Sequence, residues 1–452
     1  MKLGKNNGNP NKNSIEDIGQ SKMLRSAPRL ALARSPWASV AACPPDPILG
    51  LVAAFKLDDA PRKVNLAQGA YRTEEGQPCV LEAVRLAEAR LVADPTLNKE
   101  YLGIEGNPEF NALTARFVFG GDCPALGGGR VATLQTLSGT GALRVAADWL
   151  RLFAPASAAG TINLPRPSWG NHAKIFERAG LSCGGYAYLD GAGTGLDFEG
   201  LYADLAGTSS GGGVPSGSAV LLHACAHNPS GVDLSAAQWE ALAEVFAERG
   251  HVALFDSAYQ GYATGDPEAD ALAVRTFVRR GLLPIVCQSY AKSMGLYGER
   301  VGAINIVCAD GEEMAAVLSQ VKQSIIRPAY SSPPLHGSRI AAAILGDAEL
   351  RALWLKELAA IAERIRSIRA QLTTELERLG AGGAGRSWQH IVDQIGMFAF
   401  TGLAPEDVDT LLADHHVYLT RDGRLSIAGL AGKDTPYVAA AIAAVLAKKS
   451  NA

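Results

Sequence analysis

Six short, largely apolar runs punctuate the middle of the chain: VATLQTL (131–137), TINLP (161–165), AVLLHA (219–224), VALFD (252–256), PIVCQS (284–289) and GAINIV (302–307). Continuous rather than alternating apolarity marks strands covered on both faces, so these runs predict a doubly wound, mostly parallel sheet of the α/β class. Amphipathic stretches lie between them. Ser235 followed by Gln238 forms a capping box that opens a helix through QWEALAEVFAER, and Gly250 stops it just before VALFD. Farther on, Ile361, Ile365, Ile368, Leu372, Leu376 and Leu379 recur every three or four residues. That spacing predicts a long helix ending at Gly380 and leading into a second, smaller domain. Two stretches, 206–218 and 380–386, are so rich in Gly and Ser that no single conformation is expected of them.

Composition narrows the picture. The 452 residues are 48% hydrophobic and 19% charged, which suits a folded globular chain and excludes a largely disordered one. The net charge of −3 is a sum of unlike parts, because residues 1–36 carry +5 and the remainder −8. An acidic folded portion offers no footprint for nucleic acid. The leader MLRSAPRLALARS, rich in Arg, Ser and Ala and free of acids, has the composition of an organelle transit peptide. The mitochondrial matrix is the expected address, with plastid or cytosol open because Met23 offers a second start. Seven scattered cysteines without CxxC spacing indicate thiols in a reducing compartment and imply no metal site. The longest apolar stretch, 438–447, falls far short of the roughly 20 residues a membrane helix needs, so no membrane span is expected.

In an open parallel sheet, ligands sit beyond the carboxyl ends of the strands. Four predicted strand ends carry chemistry. VATLQTL runs into Ser138-Gly139-Thr140-Gly141, a Gly-rich turn at a helix start whose free N–H groups suit a phosphate, although such turns are common. VALFD ends in Asp256, with Tyr259 three residues on; alone, Asp256 reads equally well as a helix cap. PIVCQSYAK ends in Ser289 and Lys292, with Arg300 following. A lysine beside a buried strand end can be desolvated into a nucleophile, yet most such lysines reach solvent. AVLLHACAHNPSG carries His223, expected as a core residue, then His227 and an Asn228-Pro229 turn. One small molecule needs a phosphate anchor, an Asp for a protonated pyridine nitrogen and a Lys for an aldehyde together, and that molecule is pyridoxal phosphate.

From about residue 44 to 446 the chain also resembles the class I aminotransferases of fold type I, through PPDPILGL, VNLAQGAYR, KEYLGIEG, SGTGALR, WGNH, HACAHNPSGVD, FDSAYQGYATGD, QSYAKSMGLYGERVG, IRPAYSSPP, QIGMFAFTGL and DGRLSIAG. The resemblance is greatest to eukaryotic enzymes specific for aspartate. It implies a large cofactor domain over 79–360 built on a seven-stranded sheet. It also implies a smaller α+β domain from 361–452 together with an arm and partial domain at 37–78, behind the 1–36 extension. It implies a homodimer with shared active sites.

The same resemblance assigns roles. Lys292 is similar to the lysine that links to the cofactor and later shuttles the substrate proton, and Asp256 to the partner of the pyridine nitrogen. Tyr259 and Asn228 are similar to the pair that hydrogen-bonds the cofactor phenolate, and Trp169 to the ring stacked on the pyridine. His172, with His223, would support Asp256 from behind. Ser138, Gly139, Thr140, Ser289 and Arg300 would hold the phosphate, joined by Tyr101 of the other subunit. Gly69 would touch substrate, Arg424 would grip the α-carboxylate, and Arg327 of the other subunit would read a second carboxylate. The implied substrates are dicarboxylic amino acids and 2-oxo acids, with aspartate giving its amino group to 2-oxoglutarate in a ping-pong cycle. An aromatic or broad-range aminotransferase and a non-catalytic binding protein on the same fold are the competing readings. Gln68 stands where a small apolar residue is expected; Gly103, Ser257 and Ser332 are further departures from the pattern.

Overall fold

A computed structural model describes residues 35–383 and 385–450, and in it the six apolar runs become six of the seven strands of one sheet. They are β1 (Val131–Leu137), β2 (Thr161–Arg166), β3 (Ser182–Ala187), β4 (Ala219–His223), β5 (Val252–Ser257), β6 (Ile285–Ser289) and β7 (Val301–Val307). The spatial order is β1-β7-β6-β5-β4-β2-β3. Neighbours from β3 to β6 run parallel, whereas β7 runs antiparallel to both β1 and β6. Every residue of β4, β6 and β7 is buried, as continuous apolarity requires. β3 has no apolar run because Gly184 and Gly185 make room for neighbours: a Cβ at Gly184 would lie 2.3 Å from Asn163 Oδ1, and one at Gly185 2.4 Å from Arg166 Nε.

Helices cover the sheet. α1 (Ser138–Phe153) starts where β1 ends, and α2 (Ala236–Arg249) has both arms of its Ser235/Gln238 capping box and stops at Gly250, φ 65°. α3 (Ala348–Arg378) buries Ile361, Ile365, Ile368, Leu372 and Leu376 along one face and is followed by Gly380, φ 60°. Segments far apart in sequence meet in two small sheets: Val64–Asn65 pairs parallel with Val417–Tyr418, and Arg424–Ser426 pairs antiparallel with Phe398–Phe400. The stretch 206–218 is more fixed than its composition suggests, since Val214 is buried and its N–H donates to Asp204 O at 2.7 Å. Burying one valine supplies the anchor that glycines and serines lack.

Residues 35–45 form a separate exposed segment with a turn at 36–39. The expected transit peptide lies outside the described residues as far as position 34. No described helix is long and apolar enough to cross a membrane.

Trp354 on α3 is fully buried, donates its indole N–H to Ser293 O at 2.7 Å and packs on Phe117 with centroids 5.5 Å apart. Trp354→Ala is expected to cost about 3–5 kcal/mol. A urea unfolding midpoint unchanged from the parent protein would refute this.

Candidate active site

The sheet delivers its chemistry to one edge. β1, β2, β4, β5 and β6 end there, and the reversed β7 begins there, so Leu137 lies opposite Val301 and brings Ser138 beside Arg300. Both take left-handed backbone conformations, φ 62° and φ 55°, unusual for residues with a side chain. Gly302 permits the close approach, because a Cβ there would sit 2.8 Å from Ser138 Cα. Above this edge lies a cavity of about 510 Å³. It is lined by Gly69, Ser138, Gly139, Thr140, Trp169, Asn228, Asp256, Tyr259, Ser289, Lys292, Arg300 and Arg424, twelve of the residues expected from the sequence.

At one end α1 begins without any side-chain cap, so its first N–H groups face the cavity with the positive end of the helix dipole. The Ser138 and Ser289 hydroxyls lie 3.0 Å apart beside them, and Gly139 lets the backbone approach, since a Cβ there would press on Ser289 Cβ at 3.1 Å. Arg300 adds a cation. This donor set fits a phosphate.

At the sheet centre, the parallel register pairs His223 with Asp256. His172 Nε2 lies 3.0 Å from Asp256 Oδ2, and His172 Nδ1 lies 2.8 Å from Ser168 Oγ. His223 stands edge-on to His172 with centroids 5.3 Å apart and accepts the Asn228 N–H on Nδ1 at 3.3 Å. Burial, with His172 nearby, pushes the His223 pKa down to about 3, so it is neutral. Asp256 is thus oriented from behind and open to the cavity in front, a placement that fits a protonated ring nitrogen. Trp169 borders the same space, edge-on to His172.

Lys292 Nζ donates to Gly69 O at 2.8 Å and lies 4.9 Å from the Tyr297 ring centroid. Arg424 is buried, donating from Nη1 to Asn228 Oδ1 at 3.2 Å and from Nη2 to Ala67 O at 2.9 Å, while its buried Nε has no partner. Asn228 in turn donates to Tyr259 Oη at 3.3 Å. Burial raises the Tyr259 pKa, with Asp256 adding to the effect.

Two expected residues do not join this cavity. Tyr101 is 92% exposed, and Arg327 is exposed with Nη1 bonded to Ser331 Oγ. Two others escaped residue-by-residue reading. Phe398 lies flat enough on Arg424 to put its centroid 4.2 Å from the guanidinium carbon, and Tyr297 accepts the Tyr71 N–H at 3.0 Å. Aromatic residues in an apolar run give no signal of their own; only the stretch QIGMFAF around Phe398 marked the region. Gln68 lines the cavity, and its side chain has no hydrogen-bond partner among the described residues.

Burial, reinforced by Arg424 and Arg300 and opposed by Asp256, lowers the Lys292 pKa from 10.5 to about 8. The unfolded chain therefore holds an extra proton between about 8 and 10.5, and apoprotein stability should rise with pH across that window. Only the neutral amine attacks an aldehyde, so covalent capture of pyridoxal phosphate, followed by absorbance, should accelerate about tenfold per pH unit up to about 8 and then level off. Arg424→Met should move that bend to higher pH. A bend near the ordinary lysine value in the parent protein would refute the assignment.

Comparison with known proteins agrees with this chemistry. Residues 61–442 match the family described as aminotransferase class I and II. The chain is 50% identical over 414 residues to aspartate aminotransferase 1 of Medicago sativa, covering 92% of this chain and 96% of that protein. It is 49% identical over 410 residues to a mitochondrial aspartate aminotransferase of Xenopus tropicalis, covering 91% and 93%. An aromatic-amino-acid aminotransferase of Burkholderia pseudomallei, covalently bound to pyridoxal phosphate, superimposes with TM-score 0.85 at 42% identity, covering 91% of this chain and 100% of that one. With the cavity's phosphate donors, carboxylate and half-buried amine in place, the chain belongs to the class I and II aminotransferases, enzymes that work with pyridoxal phosphate.

Proposed function

We propose that the protein is an aspartate aminotransferase, moving the amino group of L-aspartate to 2-oxoglutarate and yielding oxaloacetate and L-glutamate. The carrying observation is the convergence of Lys292, Asp256 and Arg424 on one cavity, supported by relatives that bear this activity in their names. Bound there, pyridoxal phosphate supplies an aldehyde that links to amines and a ring that accepts the electron pair freed at the substrate α-carbon.

The chain's own groups do the rest. Lys292, with its pKa lowered to about 8, has a far larger neutral fraction than an ordinary lysine, and in that form it would take a proton from one carbon and return it to another. Asp256, braced by His172, keeps a ring nitrogen protonated. Asn228 and Tyr259 would hold the cofactor's phenolate oxygen, and Trp169 would pack against its ring. Arg424 presents a planar fork to the α-carboxylate that donor and acceptor have in common, which lets one site serve both halves of a ping-pong cycle. Gly69 and Gln68 border the substrate.

Arg327 and Tyr101, exposed and remote from this chain's cavity, are read as contributions to the site of a second copy in a homodimer. The sheet-bearing part, 79–360, is read as the cofactor lobe, and 361–452 with 37–78 as the smaller lobe; the pairing of Val64–Asn65 with Val417–Tyr418 supports that interleaving. The basic leader and the mitochondrial relative support a mitochondrial matrix address, with plastid or cytoplasm the competing ones.

A panel of amino acids against 2-oxoglutarate tests the activity: aspartate should be the best donor, and Lys292→Ala should lower turnover by at least roughly 100- to 10,000-fold. Arg327→Leu should cut kcat/KM for aspartate roughly 10- to 100-fold while sparing phenylalanine. Equal losses for both donors would sink the role of Arg327, and a parent enzyme that prefers phenylalanine would favour the aromatic reading. Co-refolding Lys292→Ala with Arg327→Leu should raise aspartate activity above the mean of the two variants refolded alone; no such gain would overturn the shared site.

A further inference from the structure

Arg369 is the most thoroughly buried cation described. It sits on α3, 1% exposed, with Nη1 donating to Ile391 O at 2.8 Å and Nη2 to Gly396 O at 2.9 Å and Phe398 O at 2.5 Å. No carboxylate forms an ion pair with it among the described residues, and its Nε is unpartnered. Burying a cation without a counter-ion costs several kcal/mol, and a leucine at this position on the apolar face of α3 would avoid that cost. Burial pulls the Arg369 pKa down, yet a guanidinium keeps its charge at neutral pH. What the charge holds are three carbonyls of a single eight-residue strip, 391–398.

That strip is wedged against the site. Ile395 N–H donates to Gly231 O at 2.7 Å, just after Asn228, and a Cβ on Gly231 would meet Ile395 O at 2.7 Å and Phe398 O at 2.9 Å. Phe398 ends the strip and opens the strand that pairs with Arg424–Ser426. Its ring touches three site residues. It lies 4.2 Å from the Arg424 guanidinium carbon, stands edge-on to Tyr259 with centroids 6.5 Å apart, and presses on Gly69 so closely that a Cβ there would be 2.5 Å from Phe398 Cζ. Phe398 is therefore anchored through its carbonyl by Arg369 and bears on Arg424 through its ring. Hydrogen bonds from each Nη hold the Arg424 guanidinium in its plane but let it tilt about the line joining them, and the Phe398 ring against it limits that tilt.

We propose that Arg369 is a positioning residue for substrate binding: by clamping the carbonyls of 391–398 it seats the Phe398 ring against Arg424 and so sets the aim of the fork that takes the α-carboxylate. The inference rests on the reading of Arg424 as that fork. A bidentate contact is sensitive to angle, and a displacement of about 1 Å at such a group costs on the order of 100-fold. Because amino acid and oxo acid share the α-carboxylate, both should suffer, whereas the phosphate contacts that anchor the cofactor lie on other elements and should not.

The test compares holoenzymes carrying Arg369→Met, Arg369→Lys and Arg424→Lys with the parent. Arg369→Met should raise KM for aspartate and for 2-oxoglutarate together, roughly 10- to 100-fold, with kcat within about threefold and cofactor retention unchanged. Arg369→Lys, which keeps the charge but loses the fork, should recover part of that loss. Affinity for succinate, an unreactive dicarboxylate, should weaken in parallel. A lowered melting temperature with unchanged KM would make Arg369 merely structural and overturn the proposal, as would kcat and cofactor retention falling in step with KM. If Arg369→Met does not fold, Arg369→Lys decides the matter: raised KM for both substrates supports the proposal, and parental KM overturns it. Should Arg424→Lys raise KM while the Arg369 variants do not, the positioning idea alone fails; parental KM in Arg424→Lys removes the fork itself.

Discussion

The half-buried Lys292 amine, close to Arg424 and Arg300, sets three positive groups against one opposing carboxylate, Asp256, with desolvation adding to the penalty on the lysine's charge. The conflict brings the loss of the lysine's proton down from 10.5 to about 8, and the neutral form is the one that acts as nucleophile and base. The arginines cannot yield in the same way, because a guanidinium stays protonated under any ordinary condition. The most acidic of the cations is therefore the one whose chemistry requires neutrality, and the two permanent cations are those suited to hold permanent anions, a phosphate and a carboxylate.

Maintaining that arrangement demands close approach between segments distant in sequence. Lys292 donates to Gly69 O and Arg424 to Ala67 O, so one short stretch accepts from both basic groups. Asn228 links Arg424 to Tyr259. Three of these meetings depend on glycine for steric reasons: Gly69 against the Phe398 ring, Gly231 against the carbonyls of 395 and 398, and Gly302 against the Ser138 backbone. At each, a methyl group would strike backbone or a packed ring rather than the end of a flexible chain. The site is thus specified as much by absent side chains as by present ones.

How much of this was legible in the sequence follows from the same physics. Strands buried on both faces announce themselves by composition, which is why six of seven were evident and β3, built around Gly184 and Gly185, was not. Apolar runs carry no direction, so the reversal of β7, which brings Arg300 to the ligand edge, was invisible until strand pairing was known. Polar groups at strand ends stood out because burying them requires a reason, and the expected cavity residues converge as placed. Phe398 and Arg369 were opaque for opposite causes. An aromatic in an apolar stretch looks like core, and an arginine beside Ile368 on a helix looks like a solvated edge, although it is 1% exposed.

Overall charge says little about how an anionic substrate is chosen. The residues after the basic leader sum to −8, which would repel a dicarboxylate if charge acted uniformly. At physiological ionic strength the Debye length is about 8 Å, so surface carboxylates are largely screened from the cavity floor. Arg424, 4% exposed, lies where screening is weak and desolvation strengthens every contact. Under the proposed function, recognition would therefore rest on the buried Arg424 and on the neutral groups packed around it, joined by Arg327 of a second copy, more than on the field of the whole chain.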